Sequence, residues 1–283
     1  MAIADAEPAA STLARANLRV YAMDGALLGL FMVSACLSVA LLEHPNSPVR
    51  QLLGSAFLRR ALVGVAMGLT ALALIYSPWG KRSGALMNPA LTLCFMRLGK
   101  LEPTEALGYV VAQFVGGTLG VALCAWLFGS WVSDPAVNYV LTEPGVHGAL
   151  VAWLAELGIS FSMLTVVMTV NRVPSLAPRA GFFAATLVAL FIAFEAPLSG
   201  MSLNPARSFA SAAVAHSFHG FWIYLTAPVA GMWLGLELQK RLVARHARLC
   251  GKLNHSETIA CFLRCHCLDR TRSKSHDFSL DPL

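Results

Sequence analysis

Two eleven-residue segments carry the residues best suited to do chemistry. Residues 83–93 read SGALMNPALTL and residues 199–209 read SGMSLNPARSF, and five of the eleven positions coincide: Ser, Gly, Asn, Pro and Ala. Each triplet, Asn88-Pro89-Ala90 and Asn204-Pro205-Ala206, is helix-opening chemistry. Asn is a favoured N-cap, and Pro is favoured at the first helical position, where its missing N–H is not needed. The spacing predicts a short helix after each Asn. The amides of Asn88 and Asn204 can then donate hydrogen bonds to a passing oxygen. Two helix N-termini facing one point would each present about half a positive charge there. Such a point suits a neutral oxygen and repels cations and protons. A lone Asn-Pro pair would be read as a plain turn or cap.

Three ionisable residues sit in otherwise apolar sequence. Arg207 directly follows the second Asn-Pro-Ala. An Arg inside a membrane is expensive and marks a functional position by default. The alternative is an interfacial Arg whose head snorkels to water. Asp24 and Glu156 occupy similar places early in two apolar blocks. A buried carboxylate can hold a loop by accepting its backbone N–H groups. It can also relay protons.

The elements that must position these groups are membrane spans. Of 283 residues, 57% are hydrophobic and 13% charged, with a mean hydropathy of +0.63; a soluble domain carries about a quarter charged residues. The apolar residues fall in six blocks, at about 21–42, 61–77, 106–128, 148–170, 180–194 and 220–238. A helix needs about 20 apolar residues to cross a bilayer. Backbone groups in lipid must be bonded within the segment, so these blocks are expected to be helices. The stretches after Asn88 and Asn204 are apolar but too short to cross, and they read as re-entrant half-helices. Each half of the chain then runs helix, helix, half-helix, helix. With three spans per half, the halves are inverted, an arrangement that places a functional site near the midplane. The expected fold class is an all-α integral membrane protein of six transmembrane helices plus two re-entrant half-helices. The expected division is an N-terminal segment at 1–19, a first repeat at 20–130, a connecting loop at 131–147, a second repeat at 148–240 and a basic Cys/His-rich tail at 241–283.

Charge sets the orientation. Seventeen Lys and Arg lie on the side of the two termini and three, Arg50, Arg59 and Arg60, on the other. The positive-inside rule puts both termini in the cytoplasm. The net charge of +6 lies mostly in the tail; orientation and anionic lipid account for it better than nucleic acid does. The first twenty residues lack the apolar core of a signal peptide. Seven Cys are present; Cys36, Cys94 and Cys124 fall in apolar stretches. In the tail, Cys261, Cys265 and Cys267 stand near His255 and His266. Thiolate and imidazole suit zinc or copper(I), although the spacing fits no standard zinc motif. Reduced or palmitoylated thiols are the plainer reading, and no cofactor is expected.

At these residues the chain resembles the aquaporin, or major intrinsic protein, family. Both Asn-Pro-Ala copies are present, the second followed by Arg207. Tyr109 to Gly116 follows the family's Tyr-x-x-Ala-Gln-x-x-Gly pattern, including Gln113, and the segment from Trp222 through Pro228 to Gly231 is also family-like. Glu156 matches the family's membrane-buried Glu, whereas Asp24 stands where the first half usually has Glu. The resemblance covers about residues 20 to 240. It implies a tetramer with one pore per subunit. It implies a filter of Arg207, Ile192, Met201 and Met67, or Gly68 in place of Met67 if the loop before Asn88 has no one-residue insertion. It also implies that Asp24, Glu156 and Gln113 support the loops. Strict water channels of the family usually carry His where Ile192 stands, and glycerol channels usually carry Asp where Ser208 stands. This chain follows neither pattern.

The resemblance and the residues together lead to a passive channel for water, with glycerol or other small uncharged solutes also expected, in the plasma or inner membrane. The alternatives are a facilitator with little water conduction and a secondary transporter, which would need a coupling-ion site. An enzyme is not expected: there is no paired acid/base set, and Trp79-Gly80-Lys81-Arg82 lacks the glycines of a phosphate loop.

Overall fold

The computed structural model describes residues 10–242 and Leu253. Twelve α-helices occur among them: α1 (Ala10–Glu43), α2 (Pro48–Leu52), α3 (Ala56–Tyr76), α4 (Pro78–Ser83), α5 (Pro89–Arg97), α6 (Pro103–Phe128), α7 (Ser130–Ser133), α8 (Gly148–Val170), α9 (Ala180–Phe194), α10 (Ala196–Ser199), α11 (Pro205–Ala215) and α12 (Phe221–Leu242). Six helices are long and apolar enough to span a membrane: α1, α3, α6, α8, α9 with the turn before it, and α12. Most begin or end a few residues beyond the apolar blocks, because polar residues such as Ser55 and Glu102 serve as caps at the ends. The six spans place the start of α1 and the end of α12 on one face, here called inner.

The remaining apolar helices do not cross. α5 has nine residues and α11 has eleven, too few for a bilayer. α5 follows a span that ends at the inner face; α11 follows one that ends at the outer face. The chain order α1, α3, α5, α6 repeats as α8, α9, α11, α12.

Helix packing relies on small residues, as expected where lipid removes the hydrophobic drive between helices. α1 lies directly on α6. A Cβ added to Gly116 would sit 2.0 Å from the Gly25 carbonyl oxygen, so no side chain fits there. The second repeat makes the same approach between α8 and α12: a Cβ on Gly231 would lie 2.3 Å from the Leu157 carbonyl oxygen. Outward faces are rich in exposed Leu, Val, Phe and Trp, including Leu107, Leu119, Trp126 and Leu150, as a lipid-facing surface requires.

A candidate pore between two half-helices

The two short helices begin at their Asn residues. The Asn88 side chain accepts from the Ala90 N–H at 2.9 Å, and the Asn204 side chain accepts from the N–H groups of Ala206 and Arg207 at 3.0 and 3.3 Å. Pro89 and Pro205 occupy the first turn of each helix. The helices meet head to head. The Asn88 amide donates to the Leu203 carbonyl at 2.8 Å, and the Asn204 amide donates to the Met87 carbonyl at 2.6 Å. Each Asn thus uses its oxygen to cap its own helix and one amide hydrogen to bind the opposite loop. A side-chain amide has two donor hydrogens, so each Asn has one more than these bonds use.

The loops leading to the two Asn are held in a rarely populated backbone conformation. Gly84 and Gly200 have φ of 88° and 80°, and Ala85, Met87, Met201 and Leu203 have φ of 47–60°. Positive φ at such non-Gly residues persists only where surrounding structure enforces it. Buried carboxylates do so here. Asp24 accepts from Ser83 Oγ at 3.1 Å, from the N–H groups of Leu86 and Met87 at 2.9 and 2.8 Å, and from Gln113 Nε2 at 2.8 Å. Glu156 accepts from Ser199 Oγ at 2.8 Å and from the N–H groups of Ser202 and Leu203 at 2.6 and 2.8 Å. Gln113 also donates to Thr92 Oγ1 at 3.1 Å, which ties α5 to α6.

Further residues belong to this framework to which the sequence assigned no loop-holding role. Tyr109 and Tyr224 donate to the carbonyls of Ser83 and Ser199 at 2.6 and 2.5 Å. Ser83 and Ser199 open the two repeated segments, so extending the repeat to the Tyr on α6 and α12 would have pointed to them. Ser208 Oγ lies 2.6 Å from Ser202 Oγ and 2.7 Å from Thr142 Oγ1. This hydroxyl chain fastens the second loop to the connecting segment.

A cavity of about 440 Å³ passes between the Asn pair and the wall formed by α1, α3, α8 and α9. Its lining runs from Glu43 and Arg60 toward the outer face, past Asn88 and Asn204, to Ile75, Val167 and Leu253 toward the inner face. The wall is largely apolar. Met67, Ile192, Met201 and Arg207 all line it. Gly68 does not: it faces α9, where a Cβ would meet the Ala185 carbonyl oxygen at 2.8 Å. Arg207 is anchored by Nη1, which donates to the Val140 carbonyl at 2.8 Å. That carbonyl belongs to the connecting segment and carries no side-chain signal in the sequence. Ala90 and Ala206 are fully buried behind the Asn residues.

Cys36, Cys94 and Cys124 are free thiols buried among the helices. No cluster of three or more metal-binding side chains occurs among the described residues. Cys261, Cys265, Cys267, His255 and His266 lie outside the described residues.

Comparison with known proteins places this architecture. The family model described as Major intrinsic protein matches residues 22–236. Aquaporin NIP1-1 of Arabidopsis thaliana is 34% identical over 181 residues, which is 61% of this chain and 60% of that protein. Aquaporin NIP2-2 of Zea mays is 34% identical over 214 residues, 74% of this chain and 69% of that protein. The match therefore spans about 60% of the length of some relatives and somewhat more of others. Among solved structures, the aquaglyceroporin from Plasmodium falciparum superposes with a TM-score of 0.64 at 18% identity, covering 80% of this chain and 96% of that one, a likeness of fold. With the family model matching well over half of the chain, from within α1 to within α12, the chain belongs to the major intrinsic protein family.

Proposed function

We propose that this chain is a passive membrane channel for water and small uncharged solutes such as glycerol, and that it excludes protons and ions. The observation that carries the proposal is the head-to-head pair of half-helices. Their caps, Asn88 and Asn204, are braced across the midline and face a continuous cavity. Two helix N-termini aimed at one point disfavour a cation there. An oxygen bound to both free amide hydrogens is oriented away from relaying a proton, a scheme general to aquaporin-type pores. The apolar wall beyond binds weakly and lets solute leave.

Arg207, Ile192, Met201 and Met67 form the outer filter in this reading. Arg207 supplies the donors and the positive charge, and the other three supply an apolar rim. Flexible Met side chains give that rim room to adapt, which supports solutes larger than water. Asp24, Glu156 and Gln113 hold the two loops in shape. The stretches at 20–130 and 148–240 are the halves of one pore, which carries out no catalysis. Family membership supports a homotetramer in a lipid bilayer. The excess of Lys and Arg at the inner face supports cytoplasmic termini in a plasma or inner membrane.

Swelling of proteoliposomes in an isotonic glycerol gradient tests the solute range. The expected result is uptake faster than in protein-free vesicles, unsaturated with concentration and unaffected by sodium or proton gradients. Saturation with ion coupling would instead indicate a carrier.

A further inference from the structure

Arg50, Arg59 and Arg60 crowd the outer ends of α2 and α3, and two of them serve the local backbone. Arg50 donates through Nη1 to the Glu43 carbonyl. Arg59 pairs with the Glu43 carboxylate at 3.0 Å and donates to the carbonyls of Leu53 and Gly54 at 2.7 and 3.2 Å. Arg60 differs. It pairs with no carboxylate among the described residues. Its Nε donates to the Ala193 carbonyl at 2.8 Å, one of the last carbonyls of α9, which lack a partner within the helix. Its guanidinium carbon lies 5.7 Å from the centre of the Phe57 ring. These contacts fix the head without neutralising it.

Position gives that charge a role. Arg60, Val63, Met67, Ala71 and Ile75 all line the cavity, at the spacing of one helix face. Arg60 therefore heads the stripe of α3 that holds Met67, seven residues and roughly 10 Å further out. Glu43 lines the same mouth, but Arg59 cancels its charge. The mouth keeps one uncompensated positive charge, at the opening of a largely apolar passage. Low-dielectric walls focus such a field along a cleft.

We propose that Arg60 is a second charge filter of this pore, turning cations away at the outer mouth before they reach Arg207. This rests on the channel reading above, and the test separates the two. Val63→Cys lies one turn below Arg60 on the cavity wall. It is reacted at low ionic strength with two methanethiosulfonates of similar size, one a sulfonate anion and one a quaternary ammonium cation. Modification at position 63 is read by peptide mass, in Val63→Cys alone and combined with Arg60→Gln or Arg60→Lys. Any effect of Arg60 on the thiol itself cancels in the ratio of the two rates. A unit charge about 10 Å away in water changes the local concentration of a monovalent ion about twofold, so Arg60→Gln should lower the anion-to-cation ratio about fourfold. Arg60→Lys should leave it nearly unchanged. In Val63→Cys alone the ratio, divided by that of free cysteine, should exceed one. An unchanged ratio in Arg60→Gln, a Lys variant that reacts like the Gln one, or a normalised ratio at or below one overturns the charge filter. Uptake of guanidinium and of its neutral near-isostere urea into proteoliposomes is then compared for Arg207→Ala with and without Arg60→Gln. The expected result is a several-fold higher guanidinium-to-urea ratio in the double variant. An unchanged uptake ratio in a protein that passes urea overturns Arg60 as a control on permeation. A shifted labelling ratio in proteins that pass urea no faster than protein-free vesicles supports the charged mouth and overturns the channel reading instead.

Discussion

Asp24 and Glu156 each collect backbone N–H groups from a loop that is bent into positive φ. Replacing either by Ala leaves two buried N–H groups unpaired, at about 1–3 kcal/mol each. Asp24→Ala and Glu156→Ala should therefore lower the thermal unfolding midpoint of the purified protein. Asp24→Asn, which keeps one acceptor oxygen, should lower it less; equal losses would argue against the hydrogen bonds as the source. Arg207 adds a fixed positive charge at the cavity wall. Arg207→Ala should speed the decay of a proton gradient across proteoliposomes several-fold while water flow continues, and an unchanged decay would remove Arg207 from the barrier. Glu195 lies just past the end of the fifth span, buried beside Ser199. Burial, with Glu156 nearby, pushes its carboxyl up from 4.5 to about 8. Between these values the folded protein holds a proton that the unfolded chain releases, so stability falls as pH rises across that window and levels off above it. Glu195→Gln should flatten the fall in the unfolding midpoint, which thermal unfolding at a series of pH values will read. Residue types and spacing pointed to Asn88, Asn204, Arg207, Asp24 and Glu156, because polar groups in apolar sequence are conspicuous. The carbonyls of Met87, Leu203 and Val140 that bind the Asn amides and Arg207 were illegible, since every residue has a carbonyl.

At the scale of elements, apolar length alone marked the six spans, and Asn-Pro marked the two half-helix starts. The ends were less legible, because capping residues and the turn before α9 extend helices beyond the apolar stretches. Which residue of α3 faces the cavity was open to one position in the sequence, since the expectation depended on the loop before Asn88. The helix rotation decides the geometry: Met67 faces the cavity and Gly68 faces α9. The contact between α1 and α6 leads to a further prediction. Gly116 has no room for a side chain against the Gly25 backbone, so Gly116→Leu should force the two helices apart. Little folded protein should survive detergent extraction, as judged by size-exclusion chromatography. Normal yield and elution would mean that the two helices are not held this closely.

For the whole molecule, inversion is the organising fact. Two halves of like order enter from opposite faces, and their half-helices meet where neither half alone could build a site. The sequence repeat made this pairing legible. The account requires that solute pass along the cavity, between the Asn88–Asn204 pair and the opposite wall. The most direct measurement is stopped-flow shrinkage of proteoliposomes under an osmotic gradient, made with the full chain and with protein-free vesicles. The account predicts that the protein accelerates shrinkage several-fold. Shrinkage no faster than in protein-free vesicles would contradict it.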